Sequence, residues 1–310
     1  MLEPANRTPT TPDTVRTVFA RLRERKPDLR EITDAFEETS VTQARLAEEL
    51  PLVDLGEWSP PASERRCEGV SLLADDLPAG LPATLITVAD TLLPVLGRSF
   101  GTIEGELRAF GLALAEGRLD GAALIRAVLD RNRLGLAGLA EAAGLSPGVV
   151  AFAAPMVLAP ALARLASDLA PLLCGASWGK GTCPVCGGLP AVSYLGKRDE
   201  DGNEFLVGGG GRKFLVCSQC ASQWHLPRVT CPVCECTESG KLGYFRVEGC
   251  DHERIDYCEA CKSYLPGIDL RAALDPAPAA IAGIELVHLD LLAQERGYRP
   301  AAELPWNRLD

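Results

Sequence analysis

Four Cys-x-x-Cys pairs within 79 residues constrain this chain more than anything else in it: Cys183/Cys186, Cys217/Cys220, Cys231/Cys234 and Cys258/Cys261. Two intervening residues let both sulfurs of a pair point into one tight turn, whose backbone N–H groups donate to the thiolates and offset their charge. Two such turns held face to face make a tetrahedral four-sulfur cage, suited to Zn2+ or to a mononuclear iron. Spacing sets the pairing. Thirty residues separate Cys186 from Cys217 and 23 separate Cys234 from Cys258, each enough for a β-hairpin, whereas only ten separate Cys220 from Cys231. The first pair is therefore expected to close a cage with the second, and the third with the fourth. In both spans a β-type run (213–216, 254–257) leads straight into the second pair. This repeated order describes two tandem rubredoxin-like or zinc-ribbon modules. A thioredoxin-like redox pair would need a βαβ context with its first Cys at a helix N-terminus, and turn residues surround these pairs instead.

The metal stays open at this level, because a tetrahedron of four cysteines fits both iron and zinc. CPVCG at 183–187 is the rubredoxin-type knuckle, but the other three pairs continue with Ala221, Glu235 and Lys262 in place of Gly187. Net charge narrows the partners. The chain carries −11 overall, with −7 over 1–175, −2 over 176–270 and −2 over 271–310. Four thiolates add −2 per site around Zn2+ and −1 around Fe3+, so bound metal leaves the Cys-rich region more acidic still. Phosphate recognition needs clustered Lys and Arg, so a nucleic-acid-binding ribbon is disfavoured.

Residues 1–175 read as helical. Pro12 after Thr11 suits a helix start, with Val15, Val18, Phe19 and Leu22 on one face. Ser40 and Gln43 resemble a capping box opening a helix with Ala44, Ala47 and Leu50. Residues 51–61 are a Pro-containing connection. Ile103, Leu107, Phe110 and Leu114 form a further stripe, and Asp120 suits a cap before Leu124, Ile125, Val128 and Leu129. Ser146-Pro147 opens the most apolar run, 149–163, expected to end near Cys174. At 15 residues it is short of the ~20 a membrane span needs, so it reads as a buried core helix. The stretch has no His, which weakens any nucleophile–His mechanism there. The polar start, MLEPANRTPTTPD, shows no secretory h-region, and a Cys cluster in such a chain reads as metal or redox thiols in a reducing compartment.

The fold class expected is α with small β: an all-helical domain over 1–175, a first four-cysteine rubredoxin-like module over 176–228, a second over 229–270, and a C-terminal helix and tail over 271–310. Strands are expected at 191–195, 213–216, 242–247 and 254–257, with turns or loops at Asp201-Gly202 and 208–211. The other polar candidates are weaker. Cys236 and Cys250 read as partly buried free thiols, with redox partners or spare ligands as the alternative, and Cys67 and Cys174 as small packing residues. His225 and His252 are spare ligands that eight Cys make unnecessary, and His288 is structural. The run from Gly175 through Gly179-Lys180-Gly181 is one residue short of a phosphate loop and lacks its Ser/Thr. Trp224, Tyr244, Phe245 and Tyr264 serve either as interface anchors or as packing under the hairpins.

The run CSQCASQWHLPRVTCPVCECTESGKLGYF, with CPVCGGLPAVS before it and YCEACKSYLPGID after it, resembles the formate dehydrogenase accessory protein family, FdhE. The tail over 286–305 is also similar to the end of that family, so the resemblance covers about 183–305. It implies a non-catalytic, cytoplasmic maturation factor that contacts the catalytic subunit of a respiratory formate dehydrogenase. It also implies metal binding, iron favoured over zinc, at Cys183, Cys186, Cys217, Cys220, Cys231, Cys234, Cys258 and Cys261. No membrane insertion or nucleic-acid partner is expected. The alternatives are a rubredoxin-like redox or electron-transfer protein and, less favoured, the nucleic-acid-binding ribbon. Oligomeric state, docking surface and thiol redox activity do not follow from the sequence.

Overall fold

The computed structural model describes residues 4–173, 178–196, 211–246, 249–273 and 275–307. The first helices are α1 (Pro12–Arg25), α2 (Arg30–Glu49), the short α3 (Ser63–Cys67) and α4 (Leu81–Ser99). They are followed by α5 (Glu104–Ala115), α6 (Gly121–Leu129), α7 (Arg133–Ala142) and α8 (Pro147–Leu169), and α8 is extended by a 3-10 turn to Leu173. Local rules account for several boundaries. Thr11 and Thr14 form a reciprocal cap ahead of Pro12, and Asp120 accepts from the backbone N–H of Ala122 and Ala123. The face Val15, Val18, Phe19 and Leu22 is buried.

One expected boundary is absent. Ser40 does not open a helix, because α2 runs unbroken from Arg30 and Ser40 is buried inside it. Gln43 is used elsewhere. Pro160 has no N–H to give the carbonyl of Met156 one turn earlier in α8, and Gln43 Nε2 donates to that carbonyl at 2.8 Å. A cross-helix side chain thus repairs a proline break inside the most apolar helix. With its 3-10 extension α8 is long enough to cross a membrane, as is α4, yet α8 buries Val150, Val157, Ala161, Leu162 and Leu165 in the helical core. Cys67 corrects a second expectation, since it lies exposed at the end of α3 rather than packed. Cys174, Gly175, Asp201-Gly202 and 208–210 lie outside the described residues.

Among the described residues, the Cys-rich half is built on one seven-stranded sheet. Its strands are β1 (Pro190–Leu195), β2 (Lys213–Cys217), β3 (Gln223–His225), β4 (Leu242–Arg246), β5 (Glu253–Cys258), β6 (Ser263–Asp269) and β7 (Arg299–Pro300). The order is β3-β2-β1-β6-β5-β4, with β7 beside β6. The two modules read from the spacing are therefore joined. β1 of the first pairs in parallel with β6 of the second, Ser193 against Gly267 and Leu195 against Asp269. β6 is fully buried and was not legible in the sequence, because Pro266 argues against a central strand. β5 lines one edge of β6 along its length; on the other edge β7 lies beside Ser263 and Tyr264 and β1 begins only at Gly267, so Pro266 falls between these two partners.

One face of the sheet, with Leu215, Trp224 and Leu265, belongs to the helical core. The other, with Val192, Tyr194, Ile255, Tyr264 and Ile268, packs under the short closing helices α9 (Ala282–Glu285) and α10 (Val287–Glu295). Trp224 and Tyr264 are thus core residues, Phe245 is half-buried, and only Tyr244 of the four aromatic candidates is exposed. Chain ends tie the halves together. Asn6 donates from Nδ2 to the carbonyl of Ala277 at 2.7 Å and exchanges backbone bonds with the Gln223 side chain. Lys26, at the end of α1, meets buried Glu253 at 2.7 Å, and His288 of α10 sits 2.5 Å from the same carboxylate.

Beneath α10, Asp290 is buried and accepts from Tyr264 Oη at 2.6 Å. Burial pushes its carboxyl up to about 7, against the opposing hydrogen bonds of Tyr264 and Asn307. A carboxyl that holds its proton more tightly folded than unfolded favours the fold at low pH, and that contribution fades as pH rises from the usual 3.8 to about 7. Asp290→Asn is therefore expected to stabilise the protein by about 1–3 kcal/mol at pH 8 and to be nearly neutral at pH 4. Urea midpoints at the two pH values check this, and equal effects at both would refute it.

Candidate metal centres

Each Cys pair sits in the same local structure. The residue after the second Cys has positive φ in all four: Gly187 at 75°, Ala221 at 56°, Glu235 at 58° and Lys262 at 57°. Its N–H donates back to the carbonyl of the first Cys, over 2.9, 3.2, 3.0 and 2.8 Å respectively. This closes a knuckle that aims both sulfurs to one side. In the second and third knuckles a backbone N–H, of Gln219 and of Val233, also donates to the first sulfur at 3.4 Å. Only Gly187 is built for that conformation without steric cost, which is why one glycine was visible in the sequence and the shared geometry was not.

All eight Cys named by spacing gather into two groups of four, paired as the spacing indicated. In the first, Cys183 lies 3.6 Å from Cys220, and Cys186 lies 3.4 Å from Cys217 and 3.7 Å from Cys220. In the second, Cys231–Cys261 and Cys234–Cys258 are both 3.7 Å apart. Four sulfurs each ~2.3 Å from a central ion stand about 3.8 Å apart, so both groups have the size of a tetrahedral thiolate cage. They are also nearly twice the length of a disulfide bond, ~2.05 Å.

Electrostatics agree with a cation. In the first group burial pushes the Cys183 thiol well up, and hydrogen bonding with Cys183 and its neighbours does the same to Cys186. Cys220, receiving bonds from Cys183, Cys186 and Cys217, is held down. Four crowded sulfurs sharing protons in this way ionise together only around a positive charge. The donor set is soft and suits zinc or iron alike.

The two centres differ in their surroundings. All four sulfur residues of the first are buried in the helical core. The loop ahead of α4 grips this knuckle through its backbone, with Leu72 N–H on the carbonyl of Pro184 and Leu73 N–H on that of Val185, both at 2.9 Å. At the second centre Cys234 is exposed and Cys261 half-buried. The segment before the first knuckle also touches the second centre. A Cβ on Gly181 would stand 1.9 Å from the Pro232 carbonyl oxygen, so only glycine lets the backbones meet. Lys180 beside it accepts from Trp224 Nε1 through its carbonyl and pairs with Glu235. The Gly-Lys-Gly run is thus a packing joint.

Among the described residues, the remaining candidates place no ligand atom in either cage. Cys236 and Cys250 are half-buried free thiols. His225 stacks edge-on against Phe214, and His252 and His288 both lie by Glu253. The Lys26–Glu253–His288 cluster was missed. Its members lie more than 220 residues apart in part, and no local spacing marks them.

The chain is similar to known proteins both in sequence and in fold. Residues 182–228 match the family description "FdhE, central domain". A curated relative named Protein FdhE homolog, from Aquifex aeolicus, is 38% identical over 121 residues, 39% of this chain and 40% of the relative. Protein FdhE of Escherichia coli is 30% identical over 129 residues, 40% of this chain and 37% of the relative. The matches thus span about 40% of the length of these relatives. The crystal structure of the FdhE protein from Pseudomonas aeruginosa superposes with a TM-score of 0.63, at 20% identity, over 96% of both chains, which shows a shared fold.

Two outcomes are expected. Ala221→Gly, relieving a positive φ, should stabilise the metal-loaded protein by ~0.5–1 kcal/mol, read from its urea midpoint, and no gain would sink the steric account. A chelator should strip the exposed second centre first and release the buried first ion only as the protein unfolds. Metal release followed beside circular dichroism checks this, and simultaneous loss from both would contradict it.

Proposed function

We propose that this chain, similar in its central region to the FdhE family, is a non-catalytic accessory factor for a formate dehydrogenase, acting during maturation of that enzyme's catalytic subunit. The arrangement of the two cages carries the proposal. One is buried where helical bundle and sheet meet and stabilises the scaffold. The other stands at the surface, where a partner polypeptide can reach it. Small hairpins of this kind lack the core to fold alone, and metal closure supplies the missing stability. A cytoplasmic location, a reducing compartment in which such cysteines stay available to metal, is part of the same proposal.

A second reading, rubredoxin-like electron transfer, draws on the backbone N–H bonds to sulfur and on the exposed second cage. Protein purified without oxygen separates the two. Stoichiometric zinc with no reducible chromophore ends the redox reading, whereas two irons with a reversible visible spectrum favour it. For the accessory role, deletion in the source organism should abolish formate dehydrogenase activity while leaving its transcript intact. Re-supply of Cys231→Ser/Cys234→Ser is expected to restore less than wild type. Normal enzyme activity after deletion, together with no co-purification of the catalytic subunit, would remove the proposal.

A further inference from the structure

The third knuckle carries one thiol more than the second centre uses. The residue two places after the second Cys of each knuckle is Gly188, Ser222, Cys236 and Ser263 in turn. The backbone puts these positions in the same place. The N–H of the first Cys donates to their carbonyl, over 2.8 Å at Gly188, 2.9 Å at Ser222 and 2.9 Å at Cys236, and in the fourth knuckle Cys258 and Ser263 face each other across β5 and β6. That closure aims the Cα–Cβ bond at the sulfurs. A Cβ on Gly188 would stand 3.3 Å from Cys186 Sγ and 3.1 Å from Cys217 Sγ. Ser263 Oγ lies 2.9 Å from Cys261 Sγ and 3.6 Å from Cys231 Sγ, and Ser222 Oγ lies 3.1 Å from Cys220 Sγ. The position thus faces the second sulfur of its own knuckle and, at Gly188 and Ser263, the first sulfur of the facing knuckle as well.

By the same closure Cys236 faces Cys234 and Cys258. Its backbone N–H hydrogen-bonds the Cys234 sulfur. Lys241, whose ammonium is held up by Glu238 first and then by Cys236 and Cys258, stands on that side. The Cys236 thiol is free and half-buried, and is not one of the four sulfurs gathered within 4.8 Å of one another. Cys234, the ligand it adjoins, is the exposed member of the cage. A ligand at the surface, with little packed on it, opens locally at low cost. The other knuckles offer no such substitute. Gly188 has no donor atom, and the hydroxyls of Ser222 and Ser263 are hard oxygens, poorly matched to a soft thiolate site. The third knuckle alone joins an exposed ligand to a spare soft donor aimed at the same place.

We propose that Cys236 is an alternative ligand of the second centre, able to take the place of Cys234. In the exchange one sulfur–metal bond forms as another breaks. The Cys236 proton passes to Cys234, no electron moves, and the charge of the cage is unchanged. Four thiolates still hold the ion while the Cys234 thiol is released at the surface. The second centre can then offer a free thiol without losing its metal, which the first centre, with Gly188 and Ser222 at the matching positions, cannot. The proposal does not depend on the accessory role, and it holds for zinc and iron alike.

The test uses the full-length chain loaded with Co2+ under reducing conditions, because sulfur-to-cobalt charge-transfer absorption grows with the number of thiolate ligands. Cys234→Ser should still take up an ion at both centres and keep the absorption of all eight thiolates. It should bind the second ion within about 3-fold of wild type. Cys234→Ser/Cys236→Ser should lose one thiolate's share of the absorption and bind that ion at least ~10-fold more weakly than Cys234→Ser. Cys261→Ser, which has Ser263 at the matching position, should resemble the double variant, and Cys236→Ser alone should resemble wild type. Circular dichroism follows the fold of each. A Cys234→Ser chain that loses a thiolate, loses the second ion or fails to fold has not been rescued, and any of these overturns the proposal. So does a double variant with undiminished absorption, which would place the substitute ligand elsewhere, or a Cys236→Ser chain short of one thiolate, which would make Cys236 the resident ligand.

Discussion

The crowding of four thiols into each of two cages, at separations that suit a shared cation, is the constraint on which the rest of this structure rests. At the first cage every flank of the knuckle is engaged by backbone. The loop ahead of α4 pairs with Pro184 and Val185, Cys183 N–H bonds the carbonyl of Gly188, and Ser218 N–H bonds that of Leu189. The cage is therefore a joint where bundle, first hairpin and second knuckle meet. Loss of closure there would expose Leu215, Trp224 and Leu226, which share a core with α2, α4 and α8.

The second cage has the same knuckles but a different setting. It terminates β5 and β6 rather than sitting beneath helices, and part of its sulfur set faces solvent. Identical local chemistry thus yields an anchoring centre and a presented one, and the difference lies in what packs on each.

The halves are held by long-range polar contacts as well as by the sheet. Lys26, Glu253 and His288 come from α1, β5 and α10. Burial tends to raise Glu253, yet His288 and Lys26 outweigh it and hold its carboxyl at about 2. Arg21 reaches Glu285 at 3.0 Å, and Asn6 crosses to Ala277. The N-terminal helix is accordingly fastened to the closing helices as well as to the helical core.

The sequence by itself determined which sulfurs group together, because Cys-x-x-Cys spacing and loop length are local properties that limit which turns can face each other. It also determined the capped starts of α1 and α6 and the core role of α8, through the residue chemistry of helix ends and the 3.6-residue period. Tertiary structure alone decided the rest. Ser40 carries a capping signal that burial within α2 overrides. β6 contains a proline that central strands exclude, tolerated because its ring falls in the gap between β1 and β7. Trp224 and Tyr264 are interior while Tyr244 is exposed, since strand register chooses the face. The unequal burial of the two cages arises between segments far apart in the chain, where no local pattern records which neighbour will arrive.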